Sequence, residues 1–214
     1  MEKQTRALFW DNDGVLVDTE RLYYVATRRV LETVGISLTQ EQYIQSILID
    51  GKGVWHLAAK RGLNKEDVER LRQERNVIYN LLLQREHILM EDVQNVLELL
   101  SGKYIMAIVT SSLPGHFKTI HERTGFLRYF QFAVTAQDFT NSKPHPEPYL
   151  VALRRAKLRP EECLAIEDSE RGLAAATAAG LRCIVIPNKL TKRCSFGGAY
   201  KVVENISELL NLLR

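Results

Sequence analysis

The chain has 214 residues, 45% of them hydrophobic and 26% charged, a composition that supports a packed core and excludes fibrous and intrinsically disordered classes. Its formal charge of +3 comes from 29 basic and 26 acidic residues scattered along the chain, far short of a nucleic-acid footprint. No apolar run approaches the roughly eighteen residues of a membrane span and the N-terminal MEKQTRALFWDND holds no secretory-type stretch, so a cytoplasmic protein without membrane or nucleic-acid partners is expected.

The first apolar run, ALFW, reads as a buried strand that ends at Asp11. From about Thr19 to Met90 strand signal is almost missing, and amphipathic helical patterns punctuated by Gly35, Gly51, Gly53 and Gly62 take its place. Strand signal returns with YIMAIVT from Tyr104, followed by the helical FKTIHERT after Pro114, the strand FAVT from Phe132, and the helical PEPYLVALRRA after Pro146. CLAIE from Cys163, the helix RGLAAATAAG closed by Gly180, CIVIP from Cys183 and a weak KVVEN from Lys201 complete the pattern. Alternation of strand and helix predicts an α/β fold with a doubly wound, Rossmann-like parallel sheet. The helical segment would then be an insertion after the first strand, emerging at the carboxyl edge where such sheets hold ligands. The expected division is a core of residues 1–17 and 91–214 and a helical cap of 18–90.

Four clusters of polar residues fall at the ends of these runs. In FWDNDGVLVDTE a strand delivers Asp11 and Asp13 two residues apart, with Gly14 to turn the chain. Taken alone, D-x-D-G closes many strands as a plain Asx turn. The second cluster is Thr110, Ser111 and Ser112, hydroxyls and amides at a strand-to-helix turn that suit a phosphate. Third is Lys143 in NSKPHPEPY, a loop lysine that in isolation reads as solvated. In LAIEDSERG, the fourth, a strand apolar enough to be buried ends in Glu167 and Asp168, which is costly without a cation. Cys163, Cys183 and Cys194 fit neither a disulfide framework nor a zinc site.

In this order, DxDGVLVDTE, the strand-end TSS, SKPxPxxY and EDSxxG resemble the haloacid dehalogenase superfamily over essentially the whole chain. The insertion after the first strand is similar to the helical-cap subgroup that includes phosphoglycolate phosphatase and β-phosphoglucomutase. The resemblance implies an Mg2+-dependent phosphatase in which Asp11 is the nucleophile that becomes an aspartyl-phosphate and Asp13 the general acid and base. It implies magnesium on the Asp11 carboxylate, the Asp13 carbonyl and Asp168, with Glu167 direct or through water. Thr110 would hold a phosphate oxygen beside the amides of Asn12 and Ser111, and Lys143 would bridge nucleophile and phosphate. A dianionic phosphate next to three carboxylates totals about five negative charges against three from magnesium and Lys143, so each cation is needed.

Asp13 argues against dehalogenation, since that branch lacks the second acid. Transfer to water is favoured over a β-phosphoglucomutase-like reaction, because Tyr23 stands near the place of the mutase's cap histidine and Leu113 and Pro114 replace its polar contacts. A phosphometabolite-binding module without turnover is the non-enzyme alternative, but no motif acid is missing. The expected partner is a small phosphorylated metabolite such as a sugar, polyol or glycolate phosphate; the sequence does not set the oligomeric state, and a monomer is compatible with it. Lys52 in the DGKG turn, Arg75, His56 and Tyr23 are the candidates for reading the leaving group, with a solvated cap surface as the competing role for each cation. Trp55 is expected to fill the cap core.

Overall fold

The structure, a computed structural model, describes residues 4–213. Six strands form one sheet: β1 (Ala7–Trp10), β2 (Ile105–Val109), β3 (Phe132–Val134), β4 (Cys163–Glu167), β5 (Arg182–Val185) and β6 (Lys201–Val202). Every pairing is parallel and the spatial order is β3-β2-β1-β4-β5-β6. The predicted weak sixth strand is two exposed residues long. Among the described residues nine α-helices connect or flank the strands: α1 (Glu20–Thr33), α2 (Gln40–Tyr43), α3 (His56–Lys60), α4 (Lys65–Arg85), α5 (Val93–Leu100), α6 (Pro114–Thr124), α7 (Glu147–Ala156), α8 (Glu170–Ala178) and α9 (Leu209–Leu212). Among the described residues no helix is long and apolar enough to cross a membrane.

Strand β1 is buried along its whole length, and its alternation divides the core. Leu8 and Trp10 face the layer that includes α5 and Ile120, while Ala7 and Phe9 face the layer that includes Tyr149, Leu173 and Ala175. Parallel strands covered on both faces need apolar side chains on both, which is why ALFW, IMAIV and CLAIE read as continuous apolar runs.

Residues between β1 and β2 form helices and no strand of the sheet, a helical cap inserted after the first strand. They carry an apolar cluster of their own, in which Val30, Leu31, Tyr43, Leu48 and Leu71 meet. Helix α4, about 30 Å long at 1.5 Å per residue, opens with a capping box between Asn64 and Asp67. The two crossings from sheet to cap run side by side: the Asp18 amide donates to the Ile88 carbonyl (2.9 Å), and Val17 bridges Leu89.

The sheet order also fixes where chemistry can gather. From β1 the chain moves to β2 and then β3 on one side, and β4 and β5 lie on the other, so β1 is the switch point. The carboxyl ends of β2, β1 and β4 therefore open side by side into one crevice.

Candidate active site

Asp11 follows β1 directly, and its amide donates to the Ile166 carbonyl of β4 (2.9 Å), so its position is tied to two strands. The carbonyl of Asn12 then accepts from the amides of Val15, Leu16 and Val17, which folds the chain into a tight loop. Gly14 sits at φ +89°, and a Cβ there would lie 2.1 Å from Asp168 Oδ2. Glycine is thus required both for the turn and for the close approach of the fourth cluster.

Lys143 is 3% exposed, contrary to the solvated role its loop context predicts in isolation. Its Nζ donates to Asp11 Oδ1 (2.8 Å), Glu167 Oε1 (2.7 Å) and the Val109 carbonyl at the end of β2 (2.7 Å). Glu167 Oε1 also accepts from the Tyr149 hydroxyl (2.5 Å), and the Tyr149 ring lies 5.0 Å from the lysine nitrogen. Burial alone would strip the lysine of its proton, but the charges of Asp11 and Glu167 outweigh it and hold Lys143 above its ordinary range.

Asp11, Glu167 and Asp168 are all buried, and one oxygen from each lies within 4.8 Å of the others. Burial, then the Glu167 charge, pushes Asp11 up to about 7 against the pull of Lys143. Burial and the charges of Asp11 and Glu167 likewise drive Asp168 well above the carboxylate range, although Asn188 Nδ2 donates to its Oδ2 (2.6 Å). Three carboxylates around one lysine are therefore short of positive charge. An all-oxygen, dry, acid-rich donor set of this kind fits a hard divalent cation such as Mg2+, which would restore the ionised forms.

Asp13 points the other way, toward the cap. Its Oδ1 accepts from the hydroxyls of Thr19 and Tyr79 (3.3 Å for Tyr79), and its Oδ2 from Ser112 Oγ (2.6 Å), Asn12 Nδ2 (3.2 Å) and Thr110 Oγ1 (3.4 Å). The Ser111 hydroxyl is buried without a partner, and the amides of Asn12 and Ser111 donate to no group among the described residues. Unused donors on two adjacent strand ends are of the kind that anionic oxygens satisfy.

Above this floor lies a cavity of about 290 Å³ enclosed by cap and core. Arg75 is 6% exposed, with its guanidinium over Tyr23 (4.3 Å) and Trp55 (5.6 Å), Nε donating to Asn76 Oδ1 (2.9 Å) and no carboxylate of the described residues within ion-pair distance. Lys52 borders the cavity from its rim, exposed and 3.6 Å from Asp50. Trp55, half-buried, packs against the cap cluster and also forms part of the cavity wall. His56 does not line this cavity. Ala58 takes the buried side of α3, so His56 turns out into a shallow surface depression beside Asn64 and Val68.

Residues 8–186 match the haloacid dehalogenase-like hydrolase family. The chain belongs to that family. A phosphorylated carbohydrates phosphatase of Thermotoga maritima is 30% identical over 97% of this chain and 98% of its own length. The fructose-1-phosphate phosphatase YqaB of Escherichia coli K12 is 28% identical over 85% of this chain and 96% of its own. The crystal structure of β-phosphoglucomutase from Clostridium difficile shares the fold, with a TM-score of 0.83, 22% identity and coverage of 96% of this chain and 93% of that one.

In this haloacid dehalogenase-like hydrolase the crevice also gathers residues to which the motifs give no role, Glu20 at the end of DxDGVLVDTE among them. Tyr79 and Arg75 share one stripe of α4 with Leu71 and Leu83, all buried, and that four-residue spacing is a signal that the sequence carries. Glu20 and Arg171 line the cavity from the first turns of α1 and α8. Nothing in their spacing separates them from ordinary solvated charges.

Proposed function

We propose that this hydrolase is a Mg2+-dependent phosphatase of a small phosphorylated metabolite and works through an aspartyl-phosphate on Asp11. The observation that carries the reading is the division of labour between two carboxylates: Asp11 is gripped by Lys143 over the acid cluster, while Asp13 faces the cavity among hydroxyls.

Asp11 attacks phosphorus as the bond to the leaving oxygen breaks, and Asp13 gives its proton to that oxygen. Asp13 then takes a proton from a water that attacks the same phosphorus, the bond to Asp11 breaks, and inorganic phosphate departs with Asp11 restored. Throughout, Lys143 fixes Asp11 Oδ1, and the amides of Asn12 and Ser111 with the hydroxyls of Ser111 and Thr110 receive the phosphoryl oxygens. Asp11, Glu167 and Asp168 would hold Mg2+, with the Asp13 carbonyl as a further ligand. The ion supplies the positive charge that offsets the phosphate and keeps these acids ionised.

Names of relatives that refer to phosphorylated carbohydrates and fructose 1-phosphate support a sugar or polyol phosphate. Water is the favoured acceptor. Tyr23 stands where the mutase resemblance calls for a histidine, and burial raises its phenol above its ordinary range even under the Arg75 guanidinium, so it keeps its proton at neutral pH and offers no base in the histidine's place. The same reading divides the chain into the phosphoryl-transfer core, 1–17 and 91–214, and the cap, 18–90; residues 1–3 and 214 lie outside the described part. The paired crossings at Asp18 and Ile88 support that boundary.

The test is release of inorganic phosphate from a panel of sugar, polyol, glycolate and aryl phosphates with Mg2+, with chelator and with Ca2+. Release should need Mg2+ and should fall below about a hundredth in Asp11→Asn, a nearly isosteric change that removes the nucleophile. Full activity after exhaustive chelation, or in Asp11→Asn, overturns the mechanism.

A further inference from the structure

The cavity wall contains a cation that the proposed chemistry does not use. Arg171 lies in the first turn of α8, three residues past Asp168, and borders the leaving-group cavity. Its Nε is sealed from solvent with no acceptor, and its guanidinium makes no hydrogen bond or ion pair within 4.0 Å among the described residues. Buried donors without acceptors are rare because they cost stability, so an orphan at a cavity wall marks a place for a ligand atom.

Glu20 lines the same cavity from the first turn of α1 and is 6% exposed. Tyr43 donates to its Oε1, and its Oε2 accepts no hydrogen bond from the described residues. Each of the two charges acts on the other, yet no nitrogen of Arg171 reaches a carboxylate oxygen of Glu20 at contact distance. An unfilled donor therefore stands near an unfilled acceptor, on the side of the cavity formed by α8. The other cations that line the cavity each have a protein partner: Arg75 has Asn76 and two aromatic faces, Arg72 has Glu69 and the Trp55 face, Lys52 has Asp50, and Lys143 has Asp11 and Glu167.

We propose that Arg171 and Glu20 together recognise neighbouring hydroxyls on the leaving group, which makes the substrates sugar or polyol phosphates rather than esters bearing a carboxylate or a second phosphate. A hydroxyl both donates and accepts, so it satisfies the two residues at once. A carboxylate or phosphate would satisfy Arg171 and meet the like charge of Glu20. An alkyl chain would leave both unfilled, and sites built to hydrogen-bond a hydroxyl reject analogues that lack it. Because Arg171 is fixed to the sheet beside Asp168 and Glu20 starts the first cap helix, a hydroxylated leaving group ties cap to core.

This inference rests on the phosphatase reading and is tested apart from it. Phosphate release is measured for hexitol 6-phosphate, for n-hexyl phosphate of the same chain length and for phosphoglycolate, with the wild type, Arg171→Met, Arg171→Lys and Glu20→Gln, each checked by circular dichroism. The wild type should favour the hexitol ester over the alkyl ester in kcat/KM by about ten- to hundredfold, the range for one or two charge-assisted hydrogen bonds. Arg171→Met should bring that ratio to within about threefold of one, Glu20→Gln should lower it in part, and Arg171→Lys should fall between Arg171→Met and wild type. If Arg171→Met does not fold, Arg171→Lys and Glu20→Gln decide by the same ratio. A wild type that prefers phosphoglycolate, or variants that keep the full wild-type ratio, overturn the inference while the phosphatase reading stands. A wild type that releases phosphate from no ester overturns both.

Discussion

The hydroxyl of Tyr79, on the longest cap helix, donates to Asp13 Oδ1 across the boundary between cap and core (3.3 Å). Its ring is fixed edge-on against Tyr23 (5.1 Å) and His116 (4.8 Å), so the hydroxyl is held where the proposed acid and base must work. Tyr79→Phe keeps the ring and deletes one of several contacts to Asp13. A neutral hydrogen bond contributes about 0.5–1.5 kcal/mol, so kcat should fall roughly two- to tenfold, with KM and melting temperature little changed. Steady-state kinetics decide: an unaltered kcat would show that Asp13 is oriented by Thr19 and Ser112 alone.

Arg75 and Lys52 both border the cavity, but their surroundings differ. Arg75 is buried with no carboxylate of the described residues within ion-pair distance, whereas Lys52 is exposed beside Asp50. Arg75→Ala should therefore lower kcat/KM for the preferred ester by about 1.5–3 kcal/mol of transition-state binding, the range for a lost charge-assisted hydrogen bond. Lys52→Ala should change it less than about threefold, as expected of a solvated cation. The reverse ranking in parallel kinetic assays would place the leaving group at the rim instead.

Gly172→Ala sets two effects against each other. Alanine is favoured over glycine inside a helix by about 0.5–1 kcal/mol. At Gly172, however, a Cβ would lie 1.9 Å from Glu167 Oε2, and overpacking costs about 1–3 kcal/mol. The clash should win, lowering the denaturation midpoint and also weakening Mg2+ dependence, because Glu167 would be pushed off Lys143. A stabilised variant with unchanged Mg2+ response would show that Glu167 moves freely.

His121 offers a pH readout away from the carboxylates. It is buried, its Nε2 lies 3.0 Å from Asn12 Oδ1, and burial lowers it from 6.5 to about 4. The unfolded chain takes up this proton near pH 6.5 while the folded one resists until about pH 4. The histidine's contribution is thus complete above pH 6.5 and is lost as pH falls through that window. Between pH 7 and pH 5 the wild type should lose up to roughly 2 kcal/mol more stability than His121→Gln, at about 1.4 kcal/mol per pH unit. Urea titrations of both proteins at the two pH values measure it, and parallel losses would contradict a neutral buried histidine.

By itself, the sequence determined the sheet and the residues at its open edge. Apolar runs of four or five residues bounded by polar turns read as strands covered on both faces, and parallel strands all present their carboxyl ends to one side, which brings Asp11, Thr110 and Glu167 to one edge. The inward stripe of Leu71, Arg75, Tyr79 and Leu83 was legible as well, since helical spacing alone puts those four on one face. Tertiary structure decided what depends on how separate elements pack. Only the packed loop buries Lys143 between Asp11 and Glu167, and only the register of the short helix α3 turns His56 outward while Trp55 faces the cavity. Glu20 closes DxDGVLVDTE and Arg171 takes an open position of EDSxxG, 151 residues later, and neither pattern records that the two share one cavity wall. Their pairing arises where the cap docks on the core, because a charge acts over a few ångströms of space and local pattern carries no record of distances between elements.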